Sequence, residues 1–372
     1  MKLSCDKQQL QDALALAVRA VSSRTTMPIL ECVLLTATQG LTLCTSNLDI
    51  TITTSPIEAD IKETGTIALD AKLFTEIIRK MPGQVISIET TQNNTVVVKS
   101  GRSRLTISGL NSDEFPVLEE SDIEPQAVSF KINAQLLRDM IRQTIFSVST
   151  DQSKMILTGE LMEVNEGRLR MVTVDMFRIS YKDCEIISKC NNSKAVVPAR
   201  AIGEVARMLP TQEDEVVEVR FTSKRAIFSC STFTFNANLL EGEFIRYDQI
   251  FNEDFTTMVT TNRADLLNSI ERAVLVATEN KMLPIKLDIL DAEIIISSRS
   301  ERGETEDFVP CRTDGTPITI FFNPRYFIDV LRAVDDEEII LKFNTQLSPC
   351  TIRGTVQSES EFKYLIVPLR PS

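Results

Sequence analysis

Three segments of the chain follow one template: CDKQQLQDALALAV from residue 5, INAQLLRDMIRQTI from 132 and TNRADLLNSIERAV from 261. Asp6, Asn133 and Asn262 stand in register as helix N-caps, residues whose side-chain oxygen accepts a free backbone N–H of the first turn. Behind the caps run apolar positions at i, i+4 and i+8: Leu10, Leu14 and Val18; Leu137, Ile141 and Ile145; Leu266, Ile270 and Val274. Each row is one stripe of an amphipathic helix. The caps are 127 and 129 residues apart. A second, independent series has the same period. AKLFTEIIRKMP at 71–82, ARAIGEVARMLP at 199–210 and PRYFIDVLRAVD at 324–335 align Lys72, Arg200 and Arg325 at offsets of 128 and 125. A chain of 372 residues with such a repeat reads as three domains of two helices each, at 1–124, 125–252 and 253–372. Between the helices lie alternating stretches such as TVVVKSGRSRLTIS and RAIFSCSTFTFNANL. These carry strand period, and the class is α+β, with helix pairs packed on antiparallel sheets.

Composition narrows the chemistry. Hydrophobic content of 43% and charged content of 25% are those of a globular protein. No apolar run of spanning length occurs and MKLSCDKQQL turns polar within its first residues, so the expectation is a cytoplasmic chain with no membrane segment. There is no histidine, which removes the commonest general base and metal ligand. The eight cysteines form no C-x-x-C pair and read as small buried hydrophobes. Neither phosphate-cradling glycine motif is present. The run DDEE at 335–338 reads as a solvated turn rather than a magnesium site. No enzyme, metal or cofactor is expected.

Charge is placed unevenly. Residues seven apart on a helix lie about 20° apart around its axis. Lys72 with Arg79, Arg200 with Arg207, and Arg325 with Arg332 therefore each mark one face. Opposite them stand Phe74, Ile77 and Ile78; Ile202, Val205 and Ala206; and Phe327, Val330 and Leu331. Over helices expected at 6–21, 71–81, 133–147, 199–209, 262–278 and 324–334, 13 Lys and Arg oppose 8 Asp and Glu, a balance of +5 that leaves −17 for the rest of a −12 chain. One such face is ordinarily just solvated, but three in register describe a basic stripe on an acidic body, the footprint of a binder of nucleic-acid backbone. Two rival readings are a scaffold that binds only proteins and a carboxylate-dependent metal nuclease; no acidic spacing favours the latter.

Six stretches carry a resemblance over the whole chain: Arg24 before MPIL in SSRTTMPIL, SGRSRLTISGLNSDEFPVL at 100–118, VPARAI at 197, GEF in LLEGEFIRY, FFNPRYFIDVL at 321 and the terminal YLIVPLRPS. In this order they resemble the bacterial sliding clamps, the beta subunits of DNA polymerase III. The resemblance implies three clamp domains per chain, a head-to-tail homodimeric ring with helices lining the hole, and a processivity factor that slides on double-stranded DNA. Besides the paired cations, Arg24, Lys80, Arg138, Arg142 and Gln152 match DNA-facing positions of the family. Leu105 and Ile107 match one side of its dimer contact, and Leu275 and Val276 the other. A cleft between the second and third domains would receive linear motifs of the replicative polymerase's catalytic subunit, the clamp loader and other replication and repair proteins. Its matches are Leu157, Val174, Met176, Phe177, Arg178, Ile179, Ile245, Ile250, Asn323, Tyr326, Val367, Pro368, Leu369 and Arg370. The chain departs from the family pattern here. Met176 and Phe177 stand where glycine and histidine are usual, Ile245 where proline is usual, and Pro371 and Ser372 extend past Arg370. Larger side chains fill space, so a narrower cleft with altered motif preference is expected.

Overall fold

A computed structural model describes residues 1–22, 25–116, 128–188, 191–251, 254–276, 283–355 and 360–370. Its six long helices are α1 (Lys7–Ala17), α2 (Ala71–Lys80), α3 (Ala134–Thr144), α4 (Ala199–Met208), α5 (Arg263–Val274) and α6 (Pro324–Ala333). The expected caps are in place. Asp6 accepts from Gln9 N at 3.0 Å, Asn133 from Leu136 N at 3.0 Å, and Asn262 from Ala264 N at 2.9 Å and Asp265 N at 3.1 Å. The first two rows of the stripe are buried: Leu10, Leu137 and Leu266, then Leu14, Ile141 and Ile270. Val18, Ile145 and Val274 are only half-buried; the helices end sooner than expected, with Val18 and Ile145 just past α1 and α3 and Val274 the last residue of α5.

The early ends have a common cause. At the close of α1 the Thr45 hydroxyl donates to Ala17 O, and at the close of α3 the Thr173 hydroxyl donates to Thr144 O. In the third repeat Ser300 Oγ donates to Val276 O at 2.6 Å. Each clamp takes one carbonyl that the helix end leaves without an intrahelical partner. After α1 and α3 the chain tightens into 3₁₀ turns, Val18–Ala20 and Ile145–Ser147.

By internal contact the chain divides into two compact units, Met1–Leu136 with Glu204–Leu239, and Leu137–Gly203 with Leu240–Ser372. The division cuts through α3 and α4 because strands pair across the repeats. The first unit holds a five-stranded antiparallel sheet in the order 59–63, 2–6, 85–90, 95–100, 103–108. Its second sheet has eight strands, in the order 128–133, 216–221, 225–229, 233–238, 50–54, 41–46, 32–37, 65–70. Phe233–Asn238 of the second repeat is joined there to Ile50–Thr54 of the first, Phe233 facing Thr54 and Ala237 facing Ile50. α1 and α2 close the core over Leu35, Leu43, Leu69, Ile86 and Val98. The second unit holds one twelve-stranded sheet: 193–198, 159–165, 168–174, 178–185, 360–366, 350–354, 338–343, 257–262, 303–315, 293–300, 285–289, 318–322. Its junction pairs Arg178–Glu185 with Ser360–Ile366, Arg178 facing Ile366 and Cys184 facing Ser360. α5 and α6 bury Leu266, Ile270, Phe327, Val330 and Leu331 in one core with Leu287, Ile296 and Phe343 of this sheet. Five cysteines are buried, but Cys230 and Cys311 are half-buried; all seven of these are free, and Cys190 lies outside the described residues.

Candidate DNA-facing helices and peptide cleft

The three cation pairs are all exposed: Lys72 and Arg79, Arg200 and Arg207, Arg325 and Arg332. The faces opposite are buried, except that Ala206 is half-buried. Within each pair the second cation has an acidic neighbour. Arg79 Nη2 meets Glu76 at 2.6 Å, Arg207 pairs with Glu204, and Arg332 Nη2 meets Glu271 at 2.7 Å. Exposed ion pairs of this kind are worth about 0–1 kcal/mol, so exchanging the carboxylate for a phosphate costs little. Lys72, Arg200 and Arg325 have no ion pair among the described residues. Lys80 and Gln152 are exposed and Arg138 is half-buried. Arg142 donates to Ala333 O at 2.8 Å and pairs with Asp335 and Asp139, so it ties α3 to the turn after α6. Arg24 lies outside the described residues.

The cleft candidates fall into three groups, all in the second unit. Leu157, Val174 and Ile179 are buried in one cluster with Tyr181, Tyr247 and Leu365, and Ile245 and Val367 pack on it half-buried. These form an apolar floor. Over it stands a tight turn built by local bonds: Asp175 N donates to Arg178 O at 3.1 Å, Phe177 N to Asp175 Oδ1 at 2.8 Å, and Val367 N to Phe177 O at 2.8 Å. The turn holds Met176 60% and Phe177 51% exposed. The Phe177 ring stacks on Tyr326, centroids 6.3 Å apart and planes at 21°. Ile250, Leu369 and Arg370 are also exposed and Pro368 is half-buried. Leu369 N is held by Phe321 O at 2.7 Å.

The third group positions the others. Arg178 donates from Nε to Asp175 at 2.7 Å, from Nη1 to Asp329 at 2.6 Å and from Nη2 to Phe146 O at 2.6 Å. It lies 4.7 Å over the Tyr326 ring. Burial works against its charge, but Tyr364, Asp329 and Asp175 outweigh that and its pKa is raised. Its fork is spent on holding the turn to α6, so it frames the cleft from within. Asn323 caps α6 by accepting from Arg325 N at 3.0 Å. Reading the sequence missed three partners: Asp175, Asp329 and Lys154, whose Nζ is 3.1 Å from Met176 Sδ. Asp175 and Arg178 are three residues apart, a cue to a side-chain-capped turn; nothing local points to Asp329 or Lys154.

The dimer candidates lie on strand edges and helix ends. Leu105 is exposed and Ile107 half-buried on Ser103–Ser108, the edge strand of the five-stranded sheet. Leu275 is 78% exposed just past α5, and Val276 is half-buried. Comparison with known proteins identifies this set of repeats. Profiles of the DNA polymerase III beta subunit match its N-terminal domain at residues 1–119, its central domain at 131–245 and its C-terminal domain at 248–370. The chain belongs to the DNA polymerase III beta subunit family. It is 30% identical over 382 residues to the beta sliding clamp of Bacillus subtilis, covering 100% of both chains. Among solved structures, a putative DNA polymerase III beta subunit from Eubacterium rectale aligns with a TM-score of 0.93 at 35% identity over 99% of both chains. The Bacillus subtilis sliding clamp aligns at 0.95 and 29% identity over 100% of both. Three clamp domains with helix pairs on antiparallel sheets are thus the architecture of this beta subunit family member. Among the described residues no helix is long and apolar enough to cross a membrane.

Proposed function

We propose that two copies of the chain close head to tail around duplex DNA and slide along it, tethering the replicative polymerase. The observation that carries this is the threefold recurrence of an exposed cation pair on a helix whose other side is buried. Such faces contact phosphates without reading bases, which permits movement. Retention then comes from ring topology, and the acidic remainder of a −12 chain discourages DNA from adhering outside. Strand edges support closure. Two junctions join repeats within the chain, through 233–238 on 50–54 and 178–185 on 360–366. By the same repeat, the strand corresponding to 233–238 is Ser103–Ser108 and that corresponding to 178–185 is Gly303–Gly315. Ser103–Ser108 ends its sheet, and Gly303–Val309 pairs only with Glu293–Ser300 among the described residues. Pairing them between copies is a heterologous contact, with Leu105 and Ile107 meeting Leu275 and Val276, and it closes after two protomers. Arg102 and Arg104 on one edge complement Glu304 and Glu306 on the other.

We place the domain boundaries after residues 124 and 252. The apolar floor and the exposed Met176, Phe177, Ile250 and Leu369 take a partner's linear motif, from the polymerase, the clamp loader or repair proteins. The protein works as a non-catalytic processivity factor in the cytoplasm. Loading on a singly nicked circular DNA, followed by linearisation, tests the proposal: retention on the circle and rapid loss from free ends is expected. Equal binding to both forms, falling steeply with salt, would show an outside grip instead, and binding to neither would favour a protein-only scaffold.

A further inference from the structure

The turn that heads the cleft has a twin in the first unit. Asn47 N donates to Ile50 O at 3.0 Å, Asp49 N to Asn47 Oδ1 at 3.1 Å, and Asn238 N to Asp49 O at 2.9 Å. These repeat, bond for bond, the links among Asp175, Phe177, Arg178 and Val367. Leu48 therefore corresponds to Met176, Asp49 to Phe177 and Asn238 to Val367. The three bonds are shared although Leu48 takes φ 76° and Met176 no positive φ, and the second junction carries apolar and aromatic groups where the first carries polar ones. A cavity of about 140 Å³ opens beside this turn, lined by Ser46, Leu48, Asp49, Thr51, Arg225 and Asn236 among others.

Three of its polar side chains are already satisfied. The Ser46 and Thr51 hydroxyls bond each other at 3.0 Å, and Asn238 Nδ2 donates to Leu48 O at 3.1 Å. The Arg225 guanidinium and the Asn236 side-chain amide have no hydrogen bond or ion pair among the described residues. A guanidinium fork and an amide donor left free in one pocket fit a carboxylate, which arginine takes in two parallel bonds. The Asp49 main-chain carbonyl accepts the Asn238 N–H, and its carboxylate at the same pocket repels a dianion more strongly than a single carboxylate, which disfavours phosphate. Leu48, 54% exposed, offers an apolar lip. We infer that this pocket is a second peptide-binding site, which takes a glutamate or aspartate side chain of an extended partner segment. The inference rests on the free donors of this pocket and not on the apolar cleft, so its failure leaves the cleft's role untouched.

The test uses the full-length protein and three probes: N-acetyl-glutamate N-methylamide, its glutamine analogue, and acetate. Binding is read from the NMR signals of the Arg225 Nε–H and the Asn236 amide. The glutamate probe should shift both saturably, with Kd on the order of millimolar. Arg225→Gln, or the glutamine probe on the wild type, should weaken binding by about tenfold or more. Arg225→Lys, which keeps the charge and loses the fork, should fall between, while Phe177→Ala should change nothing. Absence of a saturable shift in the folded wild type overturns the inference, as does equal affinity for the glutamate and glutamine probes. Acetate binding as tightly as the peptide probe would mark a site for free carboxylates and overturn the peptide assignment.

Discussion

The buried acid Glu160 makes the sharpest claim about a single residue. Its side chain is fully enclosed, Oε1 bonds with the Thr144 hydroxyl and Oε2 has no partner. Burial pushes its pKa up to about 8 against an ordinary 4.5, the Thr144 bond opposing. The neutral acid suits the site, because the Thr144 hydroxyl is the one donor that reaches Oε1 and Oε2 has no partner to stabilise a charge. The folded chain then holds a proton that the unfolded chain releases between pH 4.5 and about 8. This group's stabilisation is fully present below that window and is lost as pH rises through it, at up to about 1.4 kcal/mol per pH unit. Urea unfolding from pH 5 to 9 should show the decline in the wild type and a flatter profile in Glu160→Gln; parallel profiles would mean that Glu160 ionises normally. At the proposed cleft, the Phe177 ring stacks on Tyr326 and Met176 is exposed beside Lys154. Replacing them with the family's usual residues, Met176→Gly with Phe177→His, should tighten binding of a generic apolar clamp-motif peptide by about tenfold. Isothermal titration checks this, and wild-type binding already in the low micromolar range with no gain in the variant would refute it.

At the scale of helices and strands, the hydroxyl clamps carry the next prediction. Thr45 and Thr173 are fully buried and each holds a helix-end carbonyl. Thr173→Val keeps the shape and orphans Thr144 O, which should cost about 1–3 kcal/mol in chemical unfolding. Asn262→Ala, which removes two cap bonds from α5, should cost about 1 kcal/mol. These two features differ in how far the sequence betrayed them. Caps, apolar stripes and the cation register follow from spacings within one helix, so Asp6, Asn133, Asn262 and the six paired cations were readable. The clamps join residues 28 or 29 apart in the first two repeats and a strand to a helix end. No local period reports such a contact, although Thr45, Thr173 and Ser300 recur at the repeat offset and an alignment of the repeats would have exposed them. The bonds of Arg142 to Ala333 O and Asp335 were likewise hidden, since they join residues 191 and 193 apart. The apolar residues of the proposed cleft came from the family resemblance, while the framing of Arg178 by Asp329 had no signal, since 151 residues separate them.

At the scale of the whole molecule, topology and charge make separable demands. If the ring is held by the edges Ser103–Ser108 and Gly303–Val309, an acid placed at Ile107 meets the apolar Leu275 and Val276 of the second copy. Ile107→Glu should therefore convert the dimer to monomer in sedimentation equilibrium while leaving each chain's circular dichroism unchanged. Desolvating an unpaired charge at an apolar contact exceeds what a modest interface withstands. The monomer keeps all its cations, so its brief, salt-dependent adhesion to DNA should persist while retention on circular DNA disappears. Reversing the cations has the complementary signature. Arg79→Glu with Arg207→Glu and Arg332→Glu leaves the edges intact and keeps the dimer, but sets six new negative charges per ring against phosphate. Loading should then fall by at least about tenfold at physiological salt, with the rings that do load still lost only through free ends. A variant that lost salt-dependent adhesion and dimerisation together would refute the division of labour between edges and helix faces. So would a monomer that still stayed on circles.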